Sequence, residues 1–184
     1  MRKAPKIAIV DFGLGNLFSV ARACLVAEGD PFITSSAEAI RGAPAIILPG
    51  VGAFGDAMDT LKRLNLDTAI IDFFKTGKPI LGVCLGMQLL FEQSSEFGQH
   101  QGLGLLGGKI ERFPDQTDES GRALKVPQIG WNRLRKNHET AREWSVSALS
   151  GLKDDDYMYF VHSFCATEVP KRNVLAFKIG RAHV

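Results

Sequence analysis

An α/β fold, with an open, mixed but mostly parallel sheet flanked by helices, is predicted by three observations. Short continuous apolar runs, Ile7-Ala8-Ile9-Val10, Ala45-Ile46-Ile47-Leu48 and Ile80-Leu81-Gly82-Val83, alternate with stretches of helical periodicity, the pattern of parallel strands covered on both faces. Each run leads into a glycine-rich turn, so the carboxyl ends of the strands carry tight backbone. After Phe97 the runs become shorter and alternate polar with apolar, which predicts strands of a more antiparallel half.

The elements follow in order. Ile7 to Val10 reads as a buried strand, ending in Asp11-Phe12-Gly13-Leu14-Gly15-Asn16, and an amphipathic helix runs from about Leu17 to Glu28. Pro31 to Thr34 is a short second strand, Ala37 to Arg41 a short helix, and Ala45 to Leu48 a third strand closed by Pro49-Gly50-Val51-Gly52. One long helix is expected from about Asp56 to Lys75, then the strand Ile80 to Val83, a turn, and a helix carrying Met87-Gln88-Leu89-Leu90-Phe91. Lys109 to Phe113 and Tyr157 to Val161 read as strands, the polar stretch Asp115 to Gly121 as a surface loop, and Arg133 to Lys136 as a solvated loop or edge.

A chain of 184 residues with 45% hydrophobic content suffices for one globular domain with its own core. The net charge of +2, with both signs interspersed, offers no footprint for nucleic acid. The basic start Met1-Arg2-Lys3-Ala4-Pro5-Lys6 is followed by an apolar stretch that Asp11 soon interrupts, so neither a signal peptide nor a membrane span is expected. Cys24, Cys84 and Cys165 are odd in number and widely spaced, which suggests neither a disulfide framework nor a metal site and points to a reducing, cytoplasmic setting.

The chemistry centres on Gly82-Val83-Cys84-Leu85-Gly86, where a cysteine sits at a strand-to-helix elbow. Flanking glycines permit the sharp turn that pushes the sulfur out above the sheet end, and free N–H groups of a following helix would favour a thiolate. An isolated cysteine would more simply be a small apolar core residue. The loop Pro49-Gly50-Val51-Gly52 opens on the same sheet edge and could present backbone N–H groups to an oxyanion. Gly13-Leu14-Gly15 resembles a dinucleotide-binding turn only in part, because Phe18 occupies the place of the third small residue. A thiol nucleophile also needs a histidine set by a carboxylate. His100 and His138 read as solvated loop residues, His162 ends the Tyr159-Phe160-Val161 strand without a carboxylate neighbour, and His183 has only Val184 after it.

These residues resemble the class I, or triad-type, glutamine amidotransferases. The stretches carrying the resemblance are Ile9 to Leu17, Leu48-Pro49-Gly50-Val51-Gly52-Ala53-Phe54-Gly55-Asp56-Ala57-Met58, Gly82 to Leu90, Val126-Pro127-Gln128-Ile129-Gly130-Trp131-Asn132, and Tyr159 to Phe164. The second and fourth are similar to the branch whose glutaminase works in histidine biosynthesis as a heterodimer with a (βα)8-barrel cyclase. The resemblance implies glutamine hydrolysis through a thioester on Cys84, with ammonia passed to that cyclase and no cofactor. It implies Val51, Gly52 and Leu85 around the oxyanion, Gly50, Gln88, His162, Ser163 and Phe164 around the substrate, and Gln128, Gly130, Trp131 and Asn132 towards the partner.

Two departures are visible. Gln128 stands where the family usually has histidine, which bears on the interface more than on the chemistry. Family members continue past the position of Phe177 to a Gln-Phe-His-Pro-Glu motif that supplies the base and its carboxylate, whereas here the chain reads Lys178-Ile179-Gly180-Arg181-Ala182-His183-Val184. The expectation is an incomplete amidotransferase domain over residues 1–177, its last strands missing and a sheet edge exposed, followed by a foreign tail at 178–184. Cys84 is then unactivated and the chain as written inactive. The competing readings are a non-catalytic subunit that docks on and regulates or stabilises the cyclase, and a thiol hydrolase of α/β-hydrolase type, against which the Pro49 to Met58 match weighs.

Overall fold

The computed structural model describes residues 4–115, 125–139 and 143–178, and the chain divides into two compact units, Met1–Leu106 and Gly107–Val184. In the first unit, β1 (Lys6–Val10), α1 (Leu17–Val26), β2 (Asp30–Thr34), α2 (Ala37–Gly42), β3 (Ile46–Leu48), α3 (Phe54–Arg63), α4 (Leu66–Lys75) and β4 (Ile80–Gly82) follow one another. Their strands form a four-stranded sheet in the order β2-β1-β3-β4. Every pair is parallel, with Ile9 opposite Ile33 and Ile47, and Leu48 opposite Gly82. Order and direction place the ends of β1, β3 and β4 at one edge, as the sequence predicts.

Strand alternation sends side chains to both faces of this sheet. Ile9 and Ile47 pack with Cys24 of α1, joined by Ile7, Leu17, Val20 and Ala21. Ala8, Val10, Ile46 and Leu48 point the other way and are essentially inaccessible. Buried Ile40, Leu61, Leu66, Ile70 and Phe73 supply apolar faces for α2, α3 and α4. Arg41 of α2 ties to Asp72 of α4 at 3.0 Å, and Lys78 Nζ donates to the Ala43 carbonyl just past α2 at 3.0 Å.

The long helix expected from Asp56 to Lys75 is two helices. Asn65 takes a left-handed backbone with φ 56° between α3 and α4, a conformation asparagine tolerates better than most residues. The break lets Leu61 and Leu66 both reach the interior. The helix after the elbow is likewise shorter than expected. It is a single turn, α5 (Leu85–Gln88), and Phe91 already belongs to β5 (Phe91–Ser94), which pairs antiparallel with β6 (His100–Gln101). Leu89, Leu90 and Phe91 are all buried, and three consecutive inward side chains do not fit one face of a helix.

The second unit is antiparallel. β7 (Leu106–Arg112), which starts at the boundary, pairs with β10 (Phe164–Thr167), while β8 (Gln128–Lys136) lies between β9 (Tyr157–His162) and β11 (Ala176–Lys178). Arg133 to Lys136, expected as a loop or edge, is therefore strand: Leu134 points inward and pairs across to Lys178, while Arg133 and Arg135 point out to Tyr157 and Asp155. Residues 116–121 of the loop expected from Asp115 to Gly121, and the tail beyond Lys178, lie outside the described residues. No helix of the described residues is long and apolar enough to cross a membrane.

Candidate active site

Cys84 links β4 to α5 with φ 54° and ψ −120°, a sparsely populated conformation that a non-glycine residue keeps only where its surroundings enforce it. The enforcement is steric. A Cβ on Gly86 would lie 1.8 Å from the Leu48 carbonyl oxygen, and one on Gly82 would lie 2.5 Å from Met87 Cα. The Val83 N–H also donates to that Leu48 carbonyl at 2.9 Å, and the amides of Met87 and Gln88 donate to the Cys84 carbonyl. With both glycines bare, the turn folds back on β3 and leaves the thiol exposed.

The same packing brings the candidate oxyanion loop alongside. The Cβ position of Gly50 is 3.1 Å from the Gly86 nitrogen and 3.2 Å from Leu85 Cβ. Gly52 has φ 110°, and Val51 projects into solvent. Leu85 N–H, the first amide of the turn, has no acceptor within it. The turn after β1 lies close by, since a Cβ on Gly15 would meet the Pro49 ring at 3.6 Å, and Asp11 accepts from the Gly13 amide at 2.9 Å. Gly50, Val51, Gly52, Cys84, Leu85 and Gln88 are thus gathered at one sheet edge.

Two features here were not foreseen. The loop runs into α3, whose N-cap, Ala53, has no side chain able to cap it. The Phe54 amide instead donates to Glu96 at 2.7 Å, across 42 positions of sequence, and nothing in the spacing of the two residues signals that bond. His100, expected on a solvated loop, is in β6 and half-buried, its ring against Gly55, where a Cβ would come within 2.6 Å. His138 is exposed as expected, and His183 lies outside the described residues.

The thiols differ in setting. Burial pushes the Cys24 thiol up. It does the same for Cys165, with the nearby Glu111 carboxylate adding to it and Lys178 opposing.

His162, Ser163 and Phe164 belong to the second unit. His162 Nδ1–H donates to the Phe164 carbonyl at 2.9 Å, which fixes the tautomer, and its ring meets Phe113 edge-on at 4.8 Å. Desolvation holds this imidazole below the ordinary range and Lys178 pushes it the same way, against the bond to Phe164. Its buried Nε2 has no partner among the described residues. The Ser163 carbonyl accepts from the Phe113 amide at 3.0 Å.

Gln128, Gly130, Trp131 and Asn132 lie on β8, but not on one face. Gln128 Nε2 donates to Asn132 Oδ1 at 3.2 Å, whereas Trp131 stands on the opposite side of the strand and meets Tyr159 edge-on at 5.6 Å. The register places Ile129 opposite Val161, Trp131 opposite Tyr159 and Arg133 opposite Tyr157. All five apolar or aromatic members of this ladder are more than half exposed. Ile129, Tyr157, Tyr159 and Val161 were missed as surface residues, although alternation with their inward neighbours marks them.

A sequence model described as glutamine amidotransferase class-I matches residues 9–182. The chain is 46% identical over 171 residues to the imidazole glycerol phosphate synthase subunit HisH of Bacillus subtilis, covering 92% of this chain and 76% of that protein. It is 44% identical over 169 residues to the protein of that name from Wolinella succinogenes, covering 92% and 78%. Among solved structures, one described as a glutamine amidotransferase superposes with a TM-score of 0.67 at 16% identity, covering 92% of this chain and 78% of the other. A glutamine amidotransferase from Thermotoga maritima gives 0.60 at 16%, covering 100% and 70%. At such identity these two speak for the fold.

Proposed function

We propose that this chain, which belongs to the class I glutamine amidotransferases, is the glutaminase subunit of an imidazole glycerol phosphate synthase, releasing ammonia from glutamine for a cyclase partner in histidine biosynthesis. The observation that carries the chemistry is the forced elbow at Cys84 with the Gly50-Val51-Gly52 loop packed against it. Cys84 Sγ, as thiolate, attacks the carboxamide carbon of glutamine, and the carbonyl oxygen takes the negative charge. The amides of Gly52 and Leu85 are the donors for that charge, in a loop where each such donor is worth roughly 3 kcal/mol. Collapse breaks the C–N bond, the departing nitrogen takes a proton and leaves as ammonia, and water then cleaves the thioester to glutamate.

Protonating the leaving nitrogen and activating the water require a base and the carboxylate that orients it. The 184 residues contain no His-Pro-Glu segment, and removing one member of a catalytic unit costs nearly as much as removing all. Negligible turnover is therefore proposed for the chain as written. Gly50, Gln88, His162, Ser163 and Phe164 are assigned to holding glutamine, and the exposed ladder around Trp131 to the cyclase. The exposed ladder on β8 and β9 also suits a second reading, a docking subunit that binds the cyclase without catalysis.

Glutamine hydrolysis by this chain, and by a version extended with the native downstream sequence, each with and without the cyclase, tests the proposal. Activity only in the extended protein, raised by the partner, is the expected result. Binding to the cyclase with no activity in either version would favour the docking subunit; neither binding nor activity would refute both.

A further inference from the structure

Resting on the amidotransferase reading, we infer that Glu96 is a positioning residue for the oxyanion loop: its carboxylate caps the Phe54 amide and so fixes the end of the Gly50-Val51-Gly52 segment where it enters α3.

The loop is anchored at both ends, by different means. At its start, Pro49 and Gly50 are wedged between Gly15 and the elbow, with Gly50 against the Gly86 nitrogen. At its far end it runs straight into α3, a ten-residue helix whose first amides have no acceptor within the helix. Such a terminus normally carries Ser, Thr, Asp or Asn as its cap; here the cap position is Ala53, with no side-chain bond. Glu96 supplies what Ala53 lacks, accepting from Phe54 N–H at 2.7 Å. A charged acceptor at a helix N-terminus makes a stronger bond than a neutral one.

Glu96 is itself held. It follows Ser94, which is fully buried and whose hydroxyl accepts the Glu96 amide at 3.2 Å. Ser94 pairs with His100 in the β5–β6 ladder, and the His100 ring packs on Gly55, the second residue of α3. The β5–β6 turn thus grips the first turn of α3 through a carboxylate and an imidazole. Between these grips Val51 and Gly52 are exposed, and Gly52 occupies a positive φ. The Gly52 amide lies only two positions before the capped amide. Without the cap, α3 frays at its first turn and the direction of the Gly52 peptide is no longer set, and catalytic donors lose effectiveness steeply when misdirected.

The test uses the full chain and two thiol reagents. The chloroketone analogue of glutamine alkylates Cys84 through attack at a carbonyl whose oxygen needs the loop, forming an S–C bond with loss of chloride; iodoacetamide alkylates the same thiol without an oxyanion. For E96A the maximal chloroketone rate should fall on the order of tenfold, with half-saturation and the iodoacetamide rate unchanged within about twofold. E96Q, which keeps an acceptor oxygen, should recover most of that rate, and hydrogen exchange should show the Phe54 amide protected in E96Q and unprotected in E96A. An unchanged maximal rate, an equal fall with both reagents, or a change confined to half-saturation would overturn the inference, the last by showing that Glu96 touches the reagent. Labelling of the unsubstituted chain that never saturates would instead overturn the amidotransferase reading, and this inference with it.

Discussion

Cys84 differs from the two other cysteines in exposure, and reactivity should follow. Cys24 and Cys165 are buried and held as thiols by desolvation. Brief treatment with iodoacetamide followed by peptide mass spectrometry should find label on Cys84 alone, and C84S should remove it. Modification of Cys165 at a similar rate would contradict the buried setting. At the elbow, G86A should destabilise the fold by about 3 kcal/mol or more, since either β3 or the turn must move to admit a methyl group; a unchanged urea midpoint would contradict the 1.8 Å approach to the Leu48 carbonyl. His162 brings a pH dependence. Its native pKa is depressed, so as pH falls the unfolded chain takes up the proton first. The stability associated with the neutral ring is complete above the ordinary histidine value of about 6.5 and is lost as pH falls through it towards the lower native value. Denaturation of the parent chain and H162N from about pH 8 to pH 5 should show the parent losing its margin over the variant on the acid side.

At the scale of elements, the sheet was legible and the helices were less so. The strands β1 and β3 announce themselves because a parallel strand buried on both faces is an unbroken apolar run; β4 carries the same kind of run although Leu81 is half exposed. The elbow was legible for a different reason: only glycine fits both flanking positions, so the backbone geometry leaves a mark on the sequence. The division of α3 from α4 left none, because the apolar periodicity continues through Leu61, Leu64 and Leu66 and the break rests on the backbone of Asn65. N65A should accordingly cost roughly 1 kcal/mol in chemical denaturation, the penalty of a left-handed backbone for a residue with a Cβ and no local polar group. β8 was hidden by its charges. Arg133 and Arg135 look like a loop until Leu134 between them is seen to point inward, and long charged side chains obscure a period of two. The Glu96 cap had no local signal, since the two residues it joins belong to different elements.

At the scale of the whole molecule, the exposed ladder on β8 and β9 departs from an ordinary solvated surface. Ile129, Trp131, Tyr157, Tyr159 and Val161 share one face of a two-strand pair, in register, and contiguous apolar surface of this kind marks interaction sites. Aromatic residues at the centre of such a patch carry a large share of binding energy. W131A and Y159A should each weaken cyclase binding on the order of tenfold or more in titration calorimetry while leaving the urea midpoint nearly unchanged. Equal affinity for both variants would move the docking surface elsewhere. Of the four partner-facing residues expected from sequence, only Trp131 belongs to this ladder, and its cross-strand neighbours there, Tyr157, Tyr159 and Val161, come from β9, over twenty-five positions further along the chain. Resemblance between sequences transfers positions one by one; it does not transfer the face of a sheet, which exists only once two strands have paired.

The closeness of Gly86 to the Leu48 carbonyl also bears on how this protein can change over generations. Every single-base substitution that alters the meaning of a glycine codon introduces either a side chain or a stop. Positions 82 and 86 therefore have no neutral neighbour in the genetic code, and drift cannot approach the elbow by small steps. Exposed positions such as Phe18 and Val26 are free to vary and to tune what the protein meets, while the turn that carries the thiol is inherited whole or lost.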